Sequence, residues 1–169
     1  MRQILYIFLF LLLFTSCKKK NENRPRVDIY MLQSFTKNVD QSTYPATVNI
    51  SNAVLAPTPI VPDKDIVFYT AATTTFKLRK DIKSILQQYG PDKAFAVTVD
   101  NQPVYYGKIH PAYLSSLTFG LPTIDPVFFS NNELQINYVN VAGASSLQQL
   151  DKRNDSRILA ALSASGRLR

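Results

Sequence analysis

Residues 4–14 form an unbroken apolar run, Ile-Leu-Tyr-Ile-Phe-Leu-Phe-Leu-Leu-Leu-Phe. Arg2 and the amino terminus put positive charge before it. The small residues Thr15 and Ser16 follow it, ahead of Cys17. A basic start, a short apolar core and a small-residue end make an export signal. As a helix the run would cover about 16 Å, against about 30 Å of bilayer hydrocarbon. The pattern therefore predicts a cleaved signal over residues 1–16 and not a permanent span. It also decides how much chain is left to fold: residues 17–169 suit one domain with its own core better than two. Cys17 is the only cysteine, so no internal disulfide can staple that domain.

The stretch Phe14-Thr15-Ser16-Cys17 resembles a bacterial lipobox. Thr15 and Ser16 fit that pattern, and Phe14 stands where the family usually has leucine. The resemblance implies that Cys17 is acylated and becomes the first residue of the mature protein, with membrane lipid as its partner. Each buried CH₂ contributes roughly 0.8 kcal/mol, so several acyl chains anchor far more firmly than one. The Cys17-Lys18-Lys19-Lys20 start is similar to small lipoproteins of the Bacteroidota. In that group acidic residues soon after the cysteine accompany surface display. In the best-known lipoprotein systems an aspartate there marks inner-membrane retention. Neither occurs here, so the resemblance implies a periplasm-facing lipoprotein of the outer membrane.

Charge sharpens this division. The formal net charge is +7, yet Lys18, Lys19, Lys20, Arg24 and Arg26 crowd a tether over residues 17–26 that holds one carboxylate, Glu22. From Val27 onward acidic and basic side chains nearly balance. Nucleic-acid binding needs a clustered basic face on the domain itself, so no nucleic acid is expected as partner. The tether either lies on anionic headgroups, at about 1 kcal/mol per Lys or Arg, or serves as a solvated spacer.

The expected domain spans residues 27–169. Val27, Ile29 and Met31 alternate with neighbours, which predicts a strand. Residues 34–46 are polar and read as a loop, and Thr47 to Leu55 leans towards strand. Asp63 to Tyr69 reads either as a short helix capped by Asp63 or as a strand. Thr73 to Leu78 is β-branched and alternating, a strand. Arg79 to Tyr89 carries Ile82, Ile85, Leu86 and Tyr89 on one helical stripe and ends at Gly90-Pro91. Ala94–Val99 and Val104–Ile109 make a hairpin turning at Asp100-Asn101-Gln102. Alternation puts Phe95, Val97, Val99, Val104 and Tyr106 on its inner face. Tyr105 then joins Ala94, Ala96 and Gly107 on the other, either exposed or beneath a covering helix. Pro111 to Phe129 is an irregular excursion. Leu134, Ile136 and Tyr138 mark a strand, Gly143-Ala144-Ser145-Ser146 a turn, and Ser156–Ser165 a helix with Ile158, Ala161 and Leu162 inward and Gly166 closing it. The class is α+β: a single small domain, a mainly antiparallel sheet with one or two helices on a face.

Thr75-Phe76-Lys77-Leu78, the helix, Gly90 and Ala94–Val104 together resemble the head subdomain in the first periplasmic region of SecD-type protein-export subunits. The likeness covers about residues 63–112, with Asn101 where that family usually has glycine. It implies a fold for that stretch and not the export activity. The Asp151-Lys152-Arg153-Asn154-Asp155 lead into the last helix looks like that of small Bacteroidota lipoproteins of unknown function.

Little in the chain points to catalysis. His110 is the only histidine, and metal sites of the usual His/Cys kind need several such ligands. Asp63, Asp65, Asp151 and Asp155 sit at caps or turns, and Asp100 and Asp125 stand alone. No enzyme, cofactor or metal is expected, although a hydrolase or transferase would have to use His110 and these aspartates. The dense feature is aromatic: Tyr105, Tyr106, Tyr113, Phe119, Phe128 and Phe129. Aromatic side chains are enriched at interface anchors. The expected function is thus a membrane-anchored interaction domain with an envelope protein partner. The alternative is an anchored binding module for a peptide or glycan, using residues 105–129 with Tyr105, Tyr113 and Phe119 as ligand contacts.

Overall fold

The computed structural model describes residues 24–91, 93–128 and 132–169. The signal, Cys17 and most of the tether lie outside the described residues, as does Phe129. The domain is α+β, as its patterning predicts. Strands β1 (Val27–Asp40), β2 (Thr47–Leu55), β5 (Ala94–Val99), β6 (Gln102–Ile109) and β7 (Thr123–Ile124) form one sheet in the order β2-β1-β5-β6-β7. Only β6 and β7 run parallel in it. A second, antiparallel sheet has the order β3 (Ile66–Thr70), β4 (Thr75–Leu78), β8 (Glu133–Gln135). The helices are α1 (Lys83–Gln87), α2 (Ser145–Leu150) and α3 (Ser156–Ala164).

One core joins the two sheets and α3. Val27, Ile29, Phe95 and Val97 from the large sheet meet Tyr69, Phe76 and Leu134 from the small one. Ile158, Ala161 and Leu162 complete it from α3, the three positions that the helical period turns inward. Asp155 caps α3 by accepting from the Arg157 N–H at 3.0 Å. Gly166 follows with φ +67, where a side chain would be strained.

Several expectations were altered by tertiary contacts. Residues 34–40 are strand, not loop: β1 outruns β5, whose pairing stops at Met31, and continues with β2 alone as a two-stranded arm. Residues 36–39 of the arm are exposed, so its sequence carries no apolar alternation. Asn38 instead donates across the ladder to Asn49 (3.2 Å) and Ser51 (2.8 Å). Helix α1 is shorter than its stripe predicts. The Arg79 N–H is committed to the Asp65 carbonyl (2.8 Å), and Asp81 accepts from the Lys83 N–H (2.8 Å), so the helix starts only there. Ile82 and Leu86 are buried, while Ile85 is exposed. The Gly143–Ser146 turn runs on into α2, which inserts Leu147. Asp63–Asp65 is a single 3-10 turn leading straight into β3, so helix and strand each hold in part, but Asp63 does not cap the turn: Pro62 precedes it, and the Asp63 carboxylate turns to Val27 and Arg167 instead. The strand–helix–hairpin order across residues 63–112 is present, but β4 lies in the small sheet and the hairpin in the large one.

The hairpin corrects a face. Asp100 and Asn101 form its two-residue turn, with φ +50 and +63, the mirror-image geometry such turns favour. Val99 pairs with Gln102 and Thr98 with Pro103, but Val97 pairs with Tyr105. Val104 is therefore an extra residue, a β-bulge. One extra residue turns everything beyond it to the opposite side of the sheet. Tyr105, Gly107 and Ile109 consequently face the main core beside Phe95 and Val97. Tyr106 joins Ala94, Ala96 and Leu32 on the other face.

Two clamps close the fold. After α3 the chain runs beside β3, with Tyr69 N–H to Arg167 O and Arg169 N–H to Tyr69 O both at 2.8 Å. Arg167 donates to the buried Asp63 carboxylate at 2.5 Å, and that carboxylate also accepts from the Val27 N–H at 3.0 Å. The second clamp is Arg153. Its guanidinium grips both oxygens of Asp151 (2.9 and 2.8 Å), the Ile136 carbonyl (2.9 Å) and the Thr74 hydroxyl (3.0 Å). Tyr69 donates to the Arg153 carbonyl (3.1 Å) and Asn154 to the Ala71 carbonyl (3.1 Å). The Asp151–Asp155 segment is thus a latch from the small sheet to α3.

Candidate functional site

The excursion between β6 and β8 is ordered by its own polar groups. The Ser116 carbonyl can only accept, so the His110 Nε2, 2.8 Å away, carries the hydrogen. Its Nδ1 is buried with no hydrogen-bond partner among the described residues. Asp125 accepts from the Val127 N–H (2.8 Å) and the Ala112 N–H (3.2 Å), which pins both ends of the loop to one carboxylate. Thr123 and Asn137 exchange two backbone hydrogen bonds of 2.8 Å, and His110 N–H reaches the Ile124 carbonyl at 2.8 Å. Thr118, Leu121 and Ile124 point inward and are buried. His110, and Asp125 among the aspartates named for a hydrolase or transferase, both hold this loop.

The same loop turns large apolar side chains outward. Tyr113, Leu117 and Phe128 are 72%, 66% and 79% exposed. Of the three ligand contacts expected from sequence, only Tyr113 stands in solvent. Tyr105 is 6% exposed, within the main core, because the Val104 bulge turned it inward. Burial lifts its hydroxyl well above the usual tyrosine range, and the nearby Tyr69 adds to this. Phe119 is half-buried, and its carbonyl accepts from the Val48 N–H at 2.9 Å, so it fastens the excursion to the arm. Leu117 was missed; an exposed leucine and a core leucine look alike in sequence.

Phe128 also edges a trough on the outer face of the small sheet. Cross-strand pairing aligns two rows there, Thr70-Thr75-Gln135 and Phe68-Lys77-Glu133. The trough encloses about 330 Å³, and an adjoining recess of about 190 Å³ is lined by Asp125, Glu133 and Asn137. Lys77 and Glu133 pair at 3.3 Å, and the Arg169 guanidinium lies 3.8 Å from the Phe68 ring centre. Rings beside hydroxyl, amide and carboxylate groups suit a polar ligand with apolar faces. Among the described residues no three His, Cys, Asp or Glu side chains converge to hold a metal ion, and no helix is long and apolar enough to cross a membrane. No protein-family model, no curated protein and no solved structure matches the chain.

Proposed function

We propose that the chain is a lipid-anchored interaction domain of the bacterial envelope, held by Cys17 and recognising a partner protein through the excursion. One observation carries the recognition half: a loop pinned by His110 and Asp125 presents Tyr113, Leu117 and Phe128 to solvent. Ordering apolar side chains outward costs free energy in water, and such display marks contact surfaces. A loop already ordered also loses less entropy when it binds. The anchoring half rests on residues 4–17 and their lipobox pattern.

Each half has its own test. Metabolic labelling with a fatty acid is expected to mark the wild-type chain and to leave Cys17→Ser unlabelled; persistent labelling of that variant would refute the anchor. For recognition, affinity capture from detergent-solubilised envelope is expected to return a stoichiometric protein partner. Tyr113→Ala with Leu117→Ala should cut recovery at least tenfold, the loss expected when interface anchors are removed. Equal recovery with the double variant overturns the reading. The trough favours a glycan as the second reading. It prevails if the captured species is a saccharide and its loss follows Phe128→Ala instead.

A further inference from the structure

One edge of the arm is open. β5 pairs with β1 only as far as Met31, and among the described residues no strand lies on that side of β1 beyond it. The Val48 N–H donates to the Phe119 carbonyl at 2.9 Å, so it points away from β1. Backbone groups alternate sides along a strand, and residues directly opposite in an antiparallel pair share the pattern. Val48 lies across from Val39, and Ile50 across from Lys37. The N–H and C=O groups of Lys37 and Val39 therefore point to the open side. Beside this edge is a hollow of about 210 Å³, with Phe35, Ile50, Pro91 and Leu121 in its lining. At the tip of the same arm Tyr44 is 96% exposed, the highest value among the described large apolar side chains.

We infer that these features meet in a two-fold dimer of this chain, with the two β1 edges paired antiparallel and each Tyr44 seated in the other copy's hollow. A two-fold contact needs one surface that carries both halves of the match. Here the edge is its own complement, and the tyrosine and the hollow belong to one arm. The edge also restricts the register, because only residues with outward backbone groups can exchange hydrogen bonds. Lys37 opposite its own copy would set like charges against each other, which is unfavourable. Val39 opposite its own copy sets apolar against apolar. That register puts Gln41 across from Lys37 and carries each tip towards the other copy's Phe35. A space of about 210 Å³ equals roughly seven water-sized groups, about the size of a tyrosine ring with its hydroxyl. The lining also includes lysines, whose aliphatic stems pack well on a ring face. A buried tyrosine removes about 150–250 Å² from water. Two of them with the paired edges reach the roughly 1,000 Å² that a specific interface needs.

The test is sedimentation equilibrium of the full chain in non-ionic detergent, where a dimer is expected. Val39 and Tyr44 are exposed, so Val39→Lys, Val39→Glu and Tyr44→Ala should keep the wild-type unfolding midpoint. Val39→Lys and Val39→Glu each set like charges across the axis and should each weaken the dimer at least tenfold. Mixed in equal amounts, the two should restore it. Tyr44→Ala should also weaken it at least tenfold, whereas Tyr113→Ala with Leu117→Ala should leave it intact, which separates this contact from the excursion. A monomeric wild-type chain, a mixture no more dimeric than its parts, an unaffected Tyr44→Ala, or a dimer lost with the excursion variant would each overturn the inference.

Discussion

Gly107→Ala is expected to destabilise the domain by about 3 kcal/mol, although propensity alone argues the opposite sign. Glycine is unfavourable in a strand, and replacing it with alanine normally stabilises by up to about 1 kcal/mol. Here Gly107 pairs directly with Phe95, whose ring is fully buried and lies against the glycine. A Cβ at position 107 would collide with that ring and stand only 2.6 Å from the Pro122 carbonyl oxygen. The same carbonyl accepts from the Lys108 N–H at 3.0 Å, so it cannot retreat without breaking the link from β6 to the excursion. Overpacking of this kind costs about 1–3 kcal/mol and sometimes more, and a backbone obstacle puts this case at the high end. Equilibrium denaturation measures it. A second variant, Gly107→Ala with Phe95→Leu, should recover part of the loss, since the two sites share one space. A neutral or stabilising Gly107→Ala would show that the ring moves freely and would sink the argument.

Arg153→Ala should cost about 3 kcal/mol at neutral pH, and the loss should shrink in acid. The substitution strips partners from the Ile136 carbonyl, the Thr74 hydroxyl and the Asp151 carboxylate together. Side-chain exposures of 15% for Arg153 and 23% for Asp151 put the pair between a surface bridge and a buried one. Hydrogen bonds to charged groups contribute roughly 1.5–3 kcal/mol, and breaking a buried pair costs about 3–5. Thr74 adds strain to the account. It is β-branched yet holds φ +51, and its hydroxyl also donates to the Ile136 carbonyl at 2.7 Å. For a domain of this size the loss lowers the melting temperature by roughly 10 °C. The pH dependence follows from Asp151. Burial pushes its carboxyl up, but the hydrogen bonds and charge of Arg153 outweigh this and hold it below the usual range. A depressed carboxylate stabilises the fold above its unfolded pKa of about 3.9, and that contribution is lost as pH falls through the lower folded value. Thermal melts from pH 7 to pH 2.5 should therefore show the two proteins converging below about pH 4. A constant gap across that range would mean that the Asp151 carboxylate contributes nothing to the loss.

These two residues show how legibility depends on what a residue must touch. The latch segment Asp151–Asp155 was visible as a cap, because Asp155 acts on the N–H two residues away. The role of Arg153 was not visible, because its partners Thr74 and Ile136 come from distant strands. Gly107 was placed correctly beside Tyr105, since alternation along one strand is local. Its opposite number was misassigned: alternation alone put Ala94 and Ala96 there, and the structure puts Phe95. The polar arm escaped notice for a related reason. Residues 34–40 bury almost nothing, so the apolar rhythm that reveals a strand was absent, and only pairing with β2 makes them one.

Local periodicity and terminal chemistry were enough to predict an α+β domain after Val27, a terminal helix with Ile158, Ala161 and Leu162 inward, and a hairpin turning within Asp100-Asn101-Gln102. They also marked residues 1–17 as a stretch apart. Each of these depends on side chains a few positions from one another, where spacing alone sets direction. Which tyrosine faces solvent was settled only in three dimensions. A single unpaired residue, Val104, turned Tyr105 into the core and Tyr106 out of it. A bulge is defined by what the partner strand does, and the hydrophobicity of its own strand does not record it. The display of Tyr113, Leu117 and Phe128 was likewise decided in three dimensions, by a loop whose Thr118, Leu121 and Ile124 are buried while these three stand in solvent.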